Sequence, residues 1–271
     1  MDVLEIMSGI RNITGLHTEH SLPTRVLLRH INTAYFESVI PELSDHILEK
    51  VYNESELTDQ DGDTVSIPAN CDKVIDVERA GTPCIEVPLD RKYMIGEYRR
   101  RGTILMYPDD DADHPLYMVE NSTIRIWPTL DETDVKISFK KKIPFLYYGK
   151  VTVSGSAMTM DNNAYPVDDI YNNYYFHLYT ESNLVITLDQ IRYVTDYAGS
   201  TRIATVDSAP GSTPYIAAMV PIIPEQFHSF IQDATLIQLT RAKLYDGGNI
   251  SQMKADLQFE IQKAQDRYIK S

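Results

Sequence analysis

Cysteine is scarce. Only Cys71 and Cys84 occur in 271 residues, and two thiols in a chain of this length exclude a disulfide framework. They flank the turn Gly81-Thr82-Pro83, where a bridge across a hairpin is the alternative to two reduced thiols. Long apolar runs are missing as well. No stretch approaches the roughly 18 residues that cross a bilayer, and Met1-Asp2-Val3-Leu4-Glu5 has neither the basic nor the apolar region of a secretory leader. The expectation is a soluble, intracellular protein with no membrane partner.

Positive charge is in short supply. Lys and Arg number 25 against 39 Asp and Glu, a formal charge of −14. Tight binding along a nucleic-acid backbone requires the opposite balance. Transient passage of double-stranded DNA fits, because a negative wall repels phosphate and lets the duplex slide. Signatures of chemistry are also absent. Neither G-x-G-x-x-G nor G-x-x-x-x-G-K-[ST] occurs, and no G-x-S-x-G elbow is present. No catalytic residue, cofactor or resident metal is expected. His17, Glu19 and His20 fall short of a zinc ligand set and read as a solvated loop. Asp109, Asp111 and Asp113, with Glu120 at the twelfth position, echo a calcium loop. There, however, His114 occupies the place of the required glycine. That segment and Asp59, Asp61 and Asp63 read as acidic surface turns.

What the chain does contain is tyrosine, 18 against the single Trp127. Tyr suits extensive β surface, since its ring packs while its hydroxyl stays wet. The ends are helical. Val3, Ile6, Ile10 and Ile13 share one helical face that stops at Gly15. Ser21 is a candidate cap for a second helix carrying Leu27, Leu28, Ile31, Ala34 and Tyr35, which Pro41 ends. A short helix is expected over 44–52. From Asp59-Gln60-Asp61-Gly62-Asp63 the period changes to two. Strands are predicted over 64–68, 73–78, 84–87, 93–98, 104–107, 116–119, 123–127 and 135–139, an antiparallel pattern. Further strands are expected over 171–176 and 184–188. Helix returns at Pro224, with Phe227, Phe230, Ile231, Ala234, Ile237 and Leu244 on one face. After Asp246-Gly247-Gly248-Asn249, Ser251 is the candidate cap of a last helix carrying Met253, Leu257, Ile261, Ala264 and Tyr268. The fold class is α+β: N-terminal helices, an antiparallel β middle with an inserted β arm, and a C-terminal antiparallel helix pair.

Three segments stand in a telling order: Arg29-His30-Ile31-Asn32-Thr33-Ala34, then Ile124-Arg125-Ile126-Trp127-Pro128, then Ile223-Pro224-Glu225-Gln226-Phe227-His228. In this the chain resembles the head–tail adaptor (connector) proteins of tailed bacteriophages. The resemblance spans 1–144 and 220–271, so the domain expectation is an adaptor-like core over 1–144 and 221–271 with an inserted arm or subdomain over 145–220. It implies a structural protein of the virion neck, assembled in the host cytoplasm as a ring, usually of twelve copies in such proteins. Its partners would be its own copies, the portal protein, and tail or nozzle proteins. It implies portal contacts at Tyr268, Ile269 and Lys270. Arg99, Arg100 and Arg101, with Lys140, Lys141 and Lys142, are basic spots in an acidic chain and candidate contacts for a partner or DNA. Strand-end charges that keep edges soluble are the simpler account of them. The alternatives are another neck or tail-completion protein, or a carbohydrate-binding β module using Tyr171, Tyr174 and Tyr175.

Overall fold

The computed structural model describes residues 1–87, 115–182, 185–211 and 215–270. The chain divides into two compact units, Met1–Val51 with Ile143–Ser271, and Tyr52–Lys142. Helices and strands are both abundant, as the α+β expectation requires. The strands expected over 93–98 and 104–107, Arg99, Arg100 and Arg101, and the acidic run at Asp109, Asp111 and Asp113 lie outside the described residues.

The first unit opens with α1 (Val3–Thr14). Asp2 and Glu5 form a reciprocal capping box. Gly15, at φ 71°, ends the helix in the left-handed conformation that glycine adopts without a Cβ penalty. Val3, Ile6, Met7 and Ile10 face inward, whereas Ile13, expected on that face, is exposed. The second helix, α2 (Thr24–Ala34), is capped by Glu19 rather than Ser21. The Glu19 carboxylate accepts from the Thr24 amide at 2.8 Å, while the Ser21 hydroxyl donates to the Thr18 carbonyl. Pro41 has no amide for the Glu37 carbonyl, so the helix loosens into a π turn (Tyr35–Val39) and then a 3-10 turn (Ile40–Glu42). A short α3 (Asp45–Tyr52) follows.

Near the C-terminus a 3-10 turn (Glu225–Phe227) leads into α4 (His228–Arg241) and then α5 (Ile250–Lys270). Asn249, not Ser251, caps α5: its side-chain oxygen accepts from the Ser251 amide at 3.0 Å. The Phe227 and Tyr268 rings lie 6.1 Å apart. The start of α4 therefore meets the end of α5, and the pair is antiparallel, as expected. Leu244 falls beyond α4 and is exposed. Every residue from Ala234 to Leu239 is buried, so the middle of α4 is enclosed on all sides, while Ser229, Asp233 and Arg241 nearer its ends are exposed. Its cover comes from α1, α2, the π turn and α5.

The rest of this unit is a closed barrel of β7 (Tyr148–Ser154), β8 (Ala157–Thr159), β9 (Tyr175–Ser182), β10 (Val185–Ala198), β11 (Ile203–Val206) and β12 (Tyr215–Met219). Their order around the barrel is β10-β11-β8-β7-β12-β9. The expected strand at 171–176 starts only at Tyr175, and Tyr171 and Tyr174 are core residues. Tyr147, Tyr171, Phe176 and Tyr197 pack edge to face or tilted, the Tyr171–Tyr197 centroids 4.8 Å apart. Their hydroxyls are satisfied, as burial demands. Tyr171 Oη accepts from the Tyr165 amide, Tyr197 Oη donates to the Tyr165 carbonyl, and Tyr147 Oη accepts from the Asp161 amide.

This changes the expected domain plan. Residues 145–220 hold a dense aromatic core and belong with the terminal helices, and the segment standing apart is Tyr52–Lys142. The physical reason lies in β12, whose five residues are all buried. The barrel interior takes one face, while on the other Ile216 and Ala218 cluster with Tyr179 and Leu4 of α1.

The second unit is a six-stranded sheet of β1 (Asn53–Ser66), β2 (Cys71–Arg79), β3 (Thr82–Pro83), β4 (Ile85–Glu86), β5 (Leu116–Glu120) and β6 (Thr123–Lys141). β6 is its spine. Along one side β1 pairs with it antiparallel from end to end. The other side is shared by β5 near its start and β2 near its end. β4 joins β5 in parallel. The strands expected at 123–127 and 135–139 are thus one 19-residue strand. Register passes from Gly62↔Leu130 to Thr64↔Arg125, so Pro128 falls in a bulge, where a strand tolerates proline.

Cys71 and Cys84 are unbonded and share the core of this sheet with Val77, Ile126 and Phe139. Burial, with Asp76 nearby, pushes the Cys84 thiol up to about 12, and burial raises Cys71. Both are expected to react slowly with a thiol reagent in mildly alkaline buffer and promptly in denaturant. A fast native-state reaction of either would contradict this packing. Glycine contacts give a second expectation. A Cβ on Gly199 would stand 2.4 Å from the Val167 backbone, whereas one on Gly9 would meet only the end of the Gln232 side chain. Gly199→Ala should cost about 1–3 kcal/mol or more in denaturant melts, and Gly9→Ala clearly less.

Candidate functional site

Two constellations in the first unit carry its polar chemistry. The first is built on Asp2, fully buried at the start of α1. Its Oδ1 accepts from the Glu5 amide at 2.9 Å as the helix cap. Its Oδ2 receives the Tyr179 hydroxyl and lies 2.7 Å from His177 Nδ1, both on β9. One carboxylate thus starts a helix and fastens it to the barrel. Burial alone would raise this carboxyl. The donors from His177, Tyr179 and the Glu5 amide outweigh it and hold the group below its ordinary 3.8. The Met1 amine nitrogen lies 3.2 Å from His228 Nδ1, and His228 Nε2 is 2.7 Å from the Ile223 carbonyl. Burial keeps the His228 pKa below its usual value. These contacts tie α1 to β9 and the chain start to the beginning of α4.

The second constellation is an open groove along α2. A compartment of about 620 Å³ is lined by Arg25, Leu28, Arg29, Asn32, Phe36 and Phe145, among others. A smaller one of about 280 Å³ continues it past Thr24 to Lys150 and Ile216. Arg25, Leu28, Arg29, Asn32 and Phe36 lie three or four positions apart, one stripe of the helix. Asn32 sets the groove floor. Its side-chain oxygen accepts from the Leu146 amide at 2.7 Å and its Nδ2 donates to the Leu146 carbonyl at 3.2 Å, so the amide mimics a strand partner. From there Phe36, Phe145 and Tyr165 step edge to face, at 5.2 Å and 5.5 Å. Phe145 remains about half exposed.

The residues singled out from the sequence have mixed positions. Tyr268 is half-buried against Phe227, at a cleft of about 390 Å³ it shares with Phe230 and Arg267. Ile269 and Lys270 are exposed at the end of α5. Lys140, Lys141 and Lys142 do not form one open basic patch. Lys141 is buried, Lys140 is half-buried opposite Asn53 and Lys73, and Lys142 donates to the Ala69 carbonyl. His17 and His20 are exposed, and Glu19 between them is taken by Arg11 and the α2 cap. Among the described residues, no group of three His, Cys, Asp or Glu is placed to hold a metal, and no helix is long and apolar enough to cross a membrane. Tyr171 and Tyr174 are buried, so with Tyr175 they do not make the aromatic platform a carbohydrate site requires.

Asn32 stood inside a quoted motif, but its contact with Leu146, 114 residues away, left no local sign. Asp2 and Glu5 did carry one, the D-x-x-E spacing of a capping box. Phe145 and Tyr165 carried none. Comparison with protein-family models gives no match, and neither does comparison with curated proteins.

Linkage fixes the sign of the Asp2 effect. A carboxylate whose folded pKa is depressed stabilises fully above its ordinary value, and that contribution is lost as pH falls through the folded value. Asp2→Asn should therefore flatten the acid limb of the stability profile below about pH 3.8, the ordinary value of this carboxyl. At neutral pH it should cost about 1–3 kcal/mol, because Tyr179 and His177 lose a charged acceptor. Urea melts at neutral and strongly acid pH measure both.

Proposed function

We propose that this chain is a ring subunit of the head–tail adaptor of a tailed bacteriophage. It docks under the portal, extends the DNA channel and gives the tail its platform. The observation carrying this reading is that two segments of the resemblance from opposite ends of the chain, Arg29–Ala34 and Ile223–His228, belong to one compact unit with structural duties there. Asn32 clamps Leu146, and His228 is held at both ring nitrogens where α4 begins.

Further support is physical. Leading helices, β strands and a closing antiparallel helix pair follow one another in the order the resemblance implies. A formal charge of −14 suits a channel through which DNA slides without sticking. The Asp2 network and the aromatic barrel make a stiff body, which suits a load-bearing ring better than a device that opens and closes.

The test is assembly with the portal protein of the same virus. The purified chain is expected to sediment with portal rings and add a second ring beneath them in negative-stain images. A chain that never associates with portal would sink the reading.

A further inference from the structure

The sheet of the second unit has two unlike sides. On one side of β6 lies β1 alone, 14 residues long, and among the described residues no strand pairs with its outer edge. That edge runs about 45 Å. Exposed edges are ordinarily kept short, because their unpaired N–H and C=O groups recruit another strand. Register is unbroken from Asn53↔Lys140 to Gln60↔Thr133 and shifts on either side of Gly62, so β1 offers a regular edge up to Gln60. On the other side of β6, β4 and β5 hold the two ends of 88–114, which lie outside the described residues.

Charge describes what this edge takes. β1 carries Glu54, Glu56, Asp59, Asp61 and Asp63 and no Lys or Arg. Glu54 and Glu56 stand opposite Phe139 and Ile137, so two acids occupy core-face positions of the strand. Asp59 stands opposite Asp134, and like charges directly across two strands are destabilising on their own. The cations of β6 lie elsewhere. Lys136 and Lys140 stand opposite Leu57 and Asn53, on the other face from Glu54 and Glu56, and Lys136 is bonded to Glu78. Such an edge repels a second β1 and favours a cationic strand. The chain carries one. The strand predicted over 93–98 has Arg91 and Lys92 before it and Arg99, Arg100 and Arg101 after it, with Glu97 the single acid from 91 to 101. Asp90 precedes that stretch, and the Asp-rich run at 109–113 follows the next predicted strand. The cations from Arg91 to Arg101 and the acids from Glu54 to Asp63 each cover about 30 Å of extended chain.

We propose that the outer edge of β1 receives the 91–101 segment of a second copy of this chain as an added strand. The inference rests on the ring reading in requiring a like neighbour. Matching three cations to three acids, and two to two, sets the added strand parallel to β1. Arg99, Arg100 and Arg101 then lie beside Asp59, Asp61 and Asp63, and Arg91 and Lys92 beside Glu54 and Glu56. Within one copy the segment leaves and rejoins the sheet across β6 from β1, so a neighbour's edge is the one it extends toward. Edge and segment are different patches, so the contact is heterologous and propagates around a closed ring.

Sedimentation velocity of the full chain across a concentration series tests this. Concentration-dependent association is expected, and it should weaken as salt rises. Arg99→Glu, Arg100→Glu and Arg101→Glu together should weaken it about tenfold or more, since like charges then meet along the edge. Adding Asp59→Lys, Asp61→Lys and Asp63→Lys to that chain should restore it, which general misfolding would not. In a chain carrying Thr58→Cys on β1 and Ile95→Cys in the segment, a flexible bismaleimide should give a ladder of linked oligomers, with neither single variant doing so. Cys71 and Cys84 are buried and stay out of that reaction. The inference is overturned by a chain that stays monomeric at every concentration, by association indifferent to the charge reversal, or by a link formed only within one copy. Portal association with an unaltered ring in the triple Glu chain would remove this interface while leaving the adaptor reading in place. Copies that associate through this edge yet never join portal would do the reverse.

Discussion

A helix whose middle is buried on every side dictates this architecture. From Ala234 to Leu239 α4 has no face left for water, so that stretch must be surrounded. The chain recruits cover from its two ends: α1, α2 and the π turn from the beginning, α5 from the close. Burying one such apolar side chain is worth about 1.5–3 kcal/mol, so a run of them outweighs the entropy of bringing distant segments together, which grows only slowly with loop length. The long excursion through Tyr52–Lys142 is thereby tolerated, and that stretch builds a sheet with its own core.

Polar groups fix how the cover is attached. Hydrophobic burial has no direction, and α1 would slide on the barrel without the Asp2 carboxylate, which serves its own helix through one oxygen and β9 through the other. Asn32 does the same for α2, gripping both backbone groups of Leu146. His228 joins the start of α4 to the Met1 amine. Each device is worth only about 1–3 kcal/mol, yet each sets a register.

Much of this was legible in the sequence. The 3.6-residue pattern placed α1, α2, α4 and α5, and Gly15 ended the first where expected. The capping residues were harder. Ser21 and Ser251 have the right chemistry, but Glu19 reaches the α2 start from five residues upstream and Asn249 reaches α5 first. Proline misled in β6, because a bulge lets the strand pass through Pro128. The largest departure was the barrel. Alternation identifies strands without saying which pair, and Tyr171 looks like a surface residue until Tyr197 and Phe176 close over it. The groove was not legible, since it depends on Phe36, Phe145 and Tyr165 meeting from three separate segments.

The central claim is that terminal helices and barrel form one cooperative body around α4. Native-state hydrogen exchange of the whole chain tests it most directly. The account expects the amides of α4, β9 and β12 to exchange with one common free energy equal to that of global unfolding, and Asp2→Asn to lower all three together. Exchange of α4 at a markedly lower free energy than β9 and β12, with the variant affecting α1 alone, would contradict it.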